Sequence, residues 1–220
     1  MKIAGVTMPL AEEAIRLLKN LNASARKKLG QNFMVDEEAL RSIAEALSIQ
    51  SGETVLEIGP GLGFLTRELL KKGAIVLAVE KDAAYIRHLK EYFKDKPLTL
   101  KEGDILESDI KKDFGIGARI KLIGNIPYNI TSPILEWMIE SRESISEAVL
   151  TMQWEVAQRL MAKPGGKTWG SLSVYLQMYC DVTLVRKISR SSFQPAPSVD
   201  SAVLRFVLRP EPRFPIREKE

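Results

Sequence analysis

The sequence is poor in residues that form disulfides or bind metal ions. Among its 220 residues are one cysteine, Cys180, and one histidine, His88, which excludes an internal disulfide and argues against a Cys/His zinc site. It also lacks a run of roughly 18 apolar residues, the length that a membrane-spanning helix needs. Glu12 and Glu13 stand where a signal peptide would have its apolar stretch. We therefore expect a cytoplasmic protein with no metal and no membrane contact.

The overall composition is that of an ordinary globular protein. The apolar fraction of 45% and the charged fraction of 27% favour neither disorder nor a fibrous class, and 220 residues suit one α/β domain. A net charge of +4 permits nucleic-acid binding without establishing it. The densest positive segment, here called the basic cluster, is Arg26, Lys27 and Lys28. It is either a solvated face or an RNA-binding surface.

From residue 54 onward, strand-like and helix-like segments alternate. Seven strands are predicted, at residues 54–58, 75–80, 98–103, 120–124, 148–152, 182–188 and 201–208. The last two are close in sequence and are expected to pair antiparallel at one edge. Ahead of them, Asp36 is placed to cap a helix that ends at Ser48. The pattern predicts a Rossmann-like α/β fold with a mostly parallel, seven-stranded sheet.

The two ends of the chain differ from this central region. Five apolar residues fall on one helical face and predict an amphipathic helix within an extension at residues 1–23: Leu10, Ala14, Leu17, Leu18 and Leu21. Residues 24–208 form the main domain. Residues 209–220 begin with three prolines in seven residues, which is typical of a linker or trailing arm.

A glycine-rich loop follows the first predicted strand, with the sequence Glu57-Ile58-Gly59-Pro60-Gly61-Leu62-Gly63. Doubly wound folds bind nucleotides at this position. The dinucleotide fingerprint G-x-G-x-x-G would require a glycine at position 64, which is Phe64. The loop therefore argues against a dinucleotide and suits S-adenosylmethionine, which offers a ribose and an amino-acid group for hydrogen bonding but no phosphate.

Two further carboxylates follow the next strands. Glu80 stands 19 residues after Gly61, where an acidic side chain accepts hydrogen bonds from both ribose hydroxyls. Asp104 comes after the third strand and is expected to accept a hydrogen bond from the adenine amine of the cofactor. Carboxylates at three successive strand ends, with Glu57 as the first, predict a nucleoside-type cofactor.

The segment Asn125-Ile126-Pro127-Tyr128 directly follows the fourth predicted strand. The lone pair of an adenine N6 amine is delocalised into the ring, so the amine must be held with that lone pair facing the methyl group. Acceptors for its two N–H groups are the Asn125 side-chain oxygen and the Ile126 carbonyl, which Pro127 restricts to extended geometry. Tyr128 then stacks on the base. A lone segment of this kind is typical of a turn; its place at the fourth strand end favours an amine-methylating site.

A base in folded RNA reaches such a site only when it is flipped out or unpaired. A second aromatic face would hold it there, and Phe193 begins a proline-rich segment that ends at Ser201. Taken alone, Phe193 would indicate core packing. On this stiff loop we expect its ring opposite Tyr128.

Together these motifs resemble the ribosomal RNA adenine N6,N6-dimethyltransferase family, and its small-subunit members more than the erythromycin-resistance methyltransferases of large-subunit RNA. The resemblance covers roughly residues 24–208. It rests on Leu29-Gly30-Gln31-Asn32-Phe33, the loop from Glu57 to Gly63, the segment from Asn125 to Ile130, Gln153-Trp154-Glu155-Val156, Gly170 to Ser173 with Tyr175, and Phe193 to Ser201.

The resemblance assigns roles to individual residues and implies a substrate. It implies that the segment closing over the methionine end of S-adenosylmethionine contains Gln31, Asn32 and Met34. It implies that the other cofactor contacts are Gly59, Gly61, Glu80, Asp104, Ile105 and Asn125. It implies that the target base is held by Asn125, Tyr128 and Phe193, and Pro127 completes the predicted catalytic residues. The implied reaction is dimethylation of two adjacent adenines in small-subunit ribosomal RNA or a pre-30S-type particle, by a monomer.

Members of that family continue into a small helical domain, so the proline-rich tail is expected to be a linker to a C-terminal domain that this sequence lacks. Two other functions stay open. One is methylation of large-subunit ribosomal RNA, against which the Phe193 to Ser201 segment argues. The other is a non-catalytic RNA-binding assembly or transcription factor on the same fold, against which the intact Asn125 to Tyr128 motif argues.

Overall fold

The computed structural model describes residues 8–21 and 31–214, so the basic cluster lies outside the described residues. The strands are β1 (Phe33–Met34), β2 (Thr54–Ile58), β3 (Ile75–Glu80), β4 (Leu98–Glu102), β5 (Ile120–Asn125), β6 (Ile145–Gln153), β7 (Cys180–Ile188), β8 (Phe193–Gln194) and β9 (Ser201–Leu208). The helices are α1 (Leu10–Asn20), α2 (Glu37–Ala46), α3 (Phe64–Lys71), α4 (Ala83–Tyr92), α5 (Ile110–Phe114), α6 (Thr131–Glu140), α7 (Trp154–Leu160) and α8 (Ser171–Tyr179).

Seven strands form one sheet in the order β4-β3-β2-β5-β6-β9-β7. Neighbours from β4 to β6 are parallel, whereas β9 is antiparallel to both β6 and β7. The predicted fold, with its mostly parallel sheet and antiparallel edge, is confirmed. The chain runs outward from β2 to β4 and then crosses to β5 on the other side of β2, which makes the space between β2 and β5 a topological switch point. Open α/β sheets bind ligands at such points, outside the carboxyl ends of the strands.

The sheet separates two apolar cores. Side chains alternate across a strand, so Leu56 of β2 lies in what we call the first core and Val55 in the second core, and neither is exposed to solvent. Central parallel strands that are covered on both faces need apolar residues at nearly every position, as β3 has from Ile75 to Val79. The predicted cap is also found, because the Asp36 carboxylate accepts a hydrogen bond from the Ala39 amide at 3.0 Å and starts α2.

The predicted amphipathic helix is α1, which buries Leu10 and Ala14 in the second core. It is also tied to α3, since the guanidinium of Arg67 donates hydrogen bonds to the two carboxylate oxygens of Glu13 at 2.6 and 3.3 Å. The start of the proline-rich tail is held too, because the side chains of Arg209 and Arg213 both pair with the Asp181 carboxylate.

A small second sheet was not predicted. It consists of β1 and β8, two residues each, with Phe33 opposite Gln194 and Met34 opposite Phe193. Strands this short carry no alternation in sequence, and they form because they pair with each other across about 160 residues of chain. This sheet covers the switch point from one side. Sequence prediction also missed α5 and made β6 too short.

Candidate active site

A cleft opens at the switch point, between residues 31–34, the loop after β2 and the segment after β5. Counted out to its open mouth, and with the solvent space there included, it encloses about 790 Å³. Nine of the predicted site residues line it: Gln31, Asn32, Met34, Gly59, Gly61, Glu80, Asn125, Pro127 and Tyr128. Residues from four separate stretches of the chain thus meet at one edge of the sheet.

Glu80, at the end of β3, holds the floor of the cleft together. Its carboxylate accepts hydrogen bonds from the amides of Gly61 at 3.0 Å, Lys81 at 2.8 Å and Asp82 at 2.9 Å. Burial nevertheless raises the pKa of Glu80, whose side chain is 6% exposed. An ionised carboxylate has about four acceptor positions, and three are used here. Glu80 therefore fixes the glycine-rich loop against β3 and keeps about one position for a ligand hydroxyl, where the sequence suggested two.

Glu57 lies beside Glu80 and is almost fully buried, at 1% exposure. The Thr66 hydroxyl donates a hydrogen bond to its Oε2 atom at 2.6 Å. Burial raises the pKa of Glu57 to about 8, and the nearby Glu80 charge adds to the effect. At neutral pH the Glu57 carboxyl is thus mostly protonated.

The glycines of the loop are needed for its shape and for close packing. Gly61 has a φ of +55°, and a Cβ atom there would lie 3.0 Å from the Phe33 ring. Gly63 has a φ of +82°, and a Cβ atom would lie 2.7 Å from Phe93 and 2.8 Å from Leu89. Both values of φ lie in the left-handed region that favours glycine. The loop can therefore approach the segment above it and the helix beside it.

The Asn125 carboxamide is oriented by the segment that covers the cleft. Its Nδ2 atom donates a hydrogen bond to the backbone carbonyl of Asn32 at 2.9 Å. Only the nitrogen of a carboxamide can donate to a carbonyl, so this contact decides which way the side chain points. The Asn125 oxygen remains as an acceptor at the cleft.

Tyr128 stands three residues further on, in a short 3₁₀ turn from Tyr128 to Ile130. Its hydroxyl shares a hydrogen bond with the Ser201 hydroxyl, at an O–O distance of 2.5 Å. Burial raises the pKa of Tyr128, so its hydroxyl stays protonated. The ring lines the cleft while its far end is anchored to the first residue of β9.

Three predicted site residues are not in the cleft wall: Asp104, Ile105 and Phe193. The Asp104 carboxylate pairs with the Lys81 ammonium at 2.8 Å, which lowers the pKa of Asp104, and it caps the turn that starts at Ile105. Phe193 is 2% exposed and packs in the second core, because β8 pairs with β1 and its ring is turned inward. The structure therefore shows the core packing of Phe193 rather than a ring opposite Tyr128.

Sequence reasoning gave no role to three other residues of the wall, Phe33, Leu62 and Tyr85. The Phe33 and Tyr85 rings meet edge to face with centroids 5.8 Å apart. Phe33 belongs to a motif noted in the sequence. Tyr85 lies inside α4, where nothing local distinguishes it from an ordinary core residue.

The wall of the cleft is acidic and has no basic side chain. Its carboxyl groups are Glu80 and the mostly protonated Glu57, and among the described residues that line it there is no lysine, arginine or histidine. Such a wall disfavours a phosphate ligand and favours one with positive charge. S-adenosylmethionine fits this requirement, since it carries a sulfonium and an ammonium group. Over residues 8–21 and 31–214, we find no cluster of acidic, histidine or cysteine side chains suited to a metal ion and no helix able to cross a membrane.

The sheet order, the glycine-rich loop and the acidic cleft define the class of protein, because the chain has the fold of the S-adenosylmethionine-dependent methyltransferases. Solved structures of that class share it. A dimethyladenosine transferase from Plasmodium falciparum superposes with a TM-score of 0.71 and 31% identity, over 80% of this chain and 63% of that one. The 23S rRNA methyltransferase ErmE superposes with a TM-score of 0.73 and 32% identity, over 84% of this chain and 72% of that one.

Within this fold class the chain can be assigned to one family. A family model described as ribosomal RNA adenine dimethylase matches residues 22–218, and the chain belongs to that family. A protein of Chlorobaculum parvum named ribosomal RNA small subunit methyltransferase A is 42% identical over 202 residues, which are 92% of this chain and 72% of that protein. A protein of the same name from Desulfitobacterium hafniense is 43% identical over 206 residues, 93% of this chain and 73% of its own length.

Proposed function

We propose that this protein transfers methyl groups from S-adenosylmethionine to the N6 amines of two adjacent adenines in small-subunit ribosomal RNA, during ribosome biogenesis. The observation that carries the proposal is the hydrogen bond from the Asn125 side chain to the Asn32 carbonyl. It leaves an oriented acceptor for an amine beside the segment that covers the cleft. We further propose that the enzyme acts as a monomer in the cytoplasm.

The cofactor follows from the wall of the cleft. Bound S-adenosylmethionine supplies an electrophilic methyl group on a positively charged sulfur. A ribose hydroxyl would donate a hydrogen bond to the remaining acceptor position of Glu80. The positive charges of the cofactor suit a wall that has two carboxyl groups and no basic side chain among the described residues. Gln31, Asn32 and Met34 would close over its methionine end, and Gly59 and Gly61 leave space for backbone contacts. For Asp104 and Ile105, a cofactor contact stays a prediction.

The target amine is held by residues that follow β5. The Asn125 oxygen and the Ile126 carbonyl accept hydrogen bonds from the two N–H groups of the amine. Its lone pair is then free for in-line attack on the methyl group. Pro127 has φ −61° and ψ 134°, which keeps this stretch extended. Tyr128 stacks on the flipped base. The methylated amine loses its proton to solvent, so no strong general base is required. A target-base contact of Phe193 would require its ring to leave the core.

Sequence identity to relatives favours small-subunit RNA over large-subunit RNA as the substrate. Relatives named as small-subunit methyltransferases reach 44% identity, against 32% for ErmE. Primer extension on each ribosomal subunit after incubation with the enzyme separates the two substrates: stops are expected in the small-subunit RNA.

We take residues 24–208 as the methyltransferase domain, residues 1–23 as an extension and residues 209–220 as a linker. The basic cluster is proposed to bind RNA.

The substitution Asn125→Ala tests the catalytic proposal. It removes the amine acceptor, and loss of one such oriented group typically costs roughly 10²- to 10³-fold in rate. We expect transfer of labelled methyl groups to 30S-type particles to fall by about this factor, while S-adenosylmethionine binding by calorimetry persists. Asn20→Ala, an exposed asparagine of α1, is the matched control. Transfer by Asn125→Ala at the wild-type rate would overturn the assignment.

A further inference from the structure

Ser201 is a polar residue in a strand that is otherwise built for the core. It opens β9, it is fully buried, and the three residues after it, Ala202, Val203 and Leu204, are buried as well. Strand pairing places Ser201 between Gln153 of β6 and Ile188 of β7. A buried hydroxyl costs free energy unless it forms a hydrogen bond. The partner of this one is the Tyr128 hydroxyl, at 2.5 Å.

That contact fixes the Tyr128 ring at both ends. At one end the backbone is held by the turn after β5, and at the other the hydroxyl is held by β9. The Tyr128 hydroxyl lies on the long axis of the ring, so these two attachments fix the place of the ring and the direction of that axis. We infer that Ser201 is a positioning residue for the target base, an inference that rests on the proposed function: it holds the Tyr128 ring in the place where it meets the adenine.

The loop that leads to Ser201 also contacts the segment that covers the cleft. The loop that ends at Ser201 begins beside Ser192, whose carbonyl accepts a hydrogen bond from the Val35 amide at 2.8 Å. The Ser192 hydroxyl also donates to the Asp36 carboxylate at 2.8 Å. One loop therefore carries the anchor of Tyr128 at one end and holds the residues after β1 at the other. The Tyr128 ring is thereby held in place relative to the segment that covers the cofactor site.

A double-mutant cycle with Ser201→Ala and Tyr128→Phe tests the inference. Each substitution removes one hydroxyl of the same hydrogen bond and keeps the ring. We expect each to lower kcat/KM for 30S-type particles by about tenfold, the order of one hydrogen bond. The double variant should be no slower than Tyr128→Phe alone. The affinity for S-adenosylmethionine, measured by calorimetry, should stay within about twofold of wild type, because neither hydroxyl is proposed to touch the cofactor.

Ser173→Ala is the matched control, since Ser173 is also buried and its hydroxyl donates to the Arg159 carbonyl at 2.7 Å, away from the cleft. It should leave kcat/KM unchanged. A tyrosine labelled with ¹³C at Cζ gives a readout that needs no RNA: the Tyr128 resonance, assigned with Tyr128→Phe, should move in Ser201→Ala and stay in Ser173→Ala.

Two results would overturn the role of Ser201. One is a Ser201→Ala loss that persists in full when Tyr128 is already phenylalanine, because the effect would then not pass through this contact. The other is a Tyr128 resonance that does not respond to Ser201→Ala. Absence of methyl transfer by the wild type would instead overturn the proposed function, and the NMR comparison would still decide whether Ser201 holds the Tyr128 hydroxyl.

Discussion

Replacing Glu57 by glutamine should change how the stability of the protein depends on pH. The carboxyl group is 1% exposed, its hydrogen-bond donor is the Thr66 hydroxyl, and burial raises its pKa from 4.5 to about 8. In the unfolded chain the same group ionises with its ordinary pKa. Between the two values the folded protein keeps a proton that the unfolded chain has lost.

The sign and the size of the effect follow from this difference. Because the folded state binds more protons in this window, the free energy of unfolding decreases as the pH rises through it. One group contributes at most about 1.4 kcal/mol per pH unit. The contribution is fully present below the unfolded pKa of 4.5 and is lost by about pH 8. From pH 5.5 to 7.5 we therefore expect wild-type stability to fall by up to about 3 kcal/mol relative to Glu57→Gln.

Urea denaturation followed by circular dichroism, at half-unit steps across this range, measures the difference. Glu53→Gln is a suitable control, since Glu53 lies near the same strand but pairs with Lys121 at 2.8 Å. Burial alone would raise the pKa of Glu53, but the Lys121 contact outweighs it and the pKa is lowered. The Glu53 carboxyl group therefore titrates below the pH range that is measured. Parallel stability curves for wild type and Glu57→Gln would refute the reasoning, because Glu57 would then be ionised in the folded protein.

Two further predictions concern the glycine-rich loop and the basic cluster. Gly63→Ala should lower the free energy of unfolding by about 2 to 4 kcal/mol, from a left-handed backbone and from overpacking against Phe93. Gly115→Ala, the control, should lower it by only about 1 to 2 kcal/mol. The φ of Gly115 is +67°, but nothing lies within 4 Å of the added Cβ atom. Equal losses of stability in thermal unfolding of the two variants would contradict the packing argument. Exchanging the basic cluster for glutamines should reduce the salt dependence of RNA binding, log Kobs against log salt, by about 2 to 3. An unchanged slope would identify the cluster as a solvated face.

The order of the elements and the chemistry at the strand ends could be predicted from the sequence. Apolar runs such as residues 75–79 predict strands buried on both faces, and the alternation with helices makes the sheet parallel. The carboxyl ends of parallel strands meet at one edge. Glu57, Glu80 and Asn125 were therefore expected close together from their positions alone, and all three line one cleft.

Contacts between segments that are far apart in the chain could not be predicted in this way, because they depend on the tertiary structure. The pairing of β1 with β8, which turns Phe193 into the core, joins two stretches too short to show a pattern. Tyr85 reaches the cleft wall from inside an ordinary helix, and Ser201 meets Tyr128 across 73 positions of sequence. Local periodicity reports which face of an element is buried. It does not report which distant element supplies the partner, because that depends on how the whole sheet closes around the switch point.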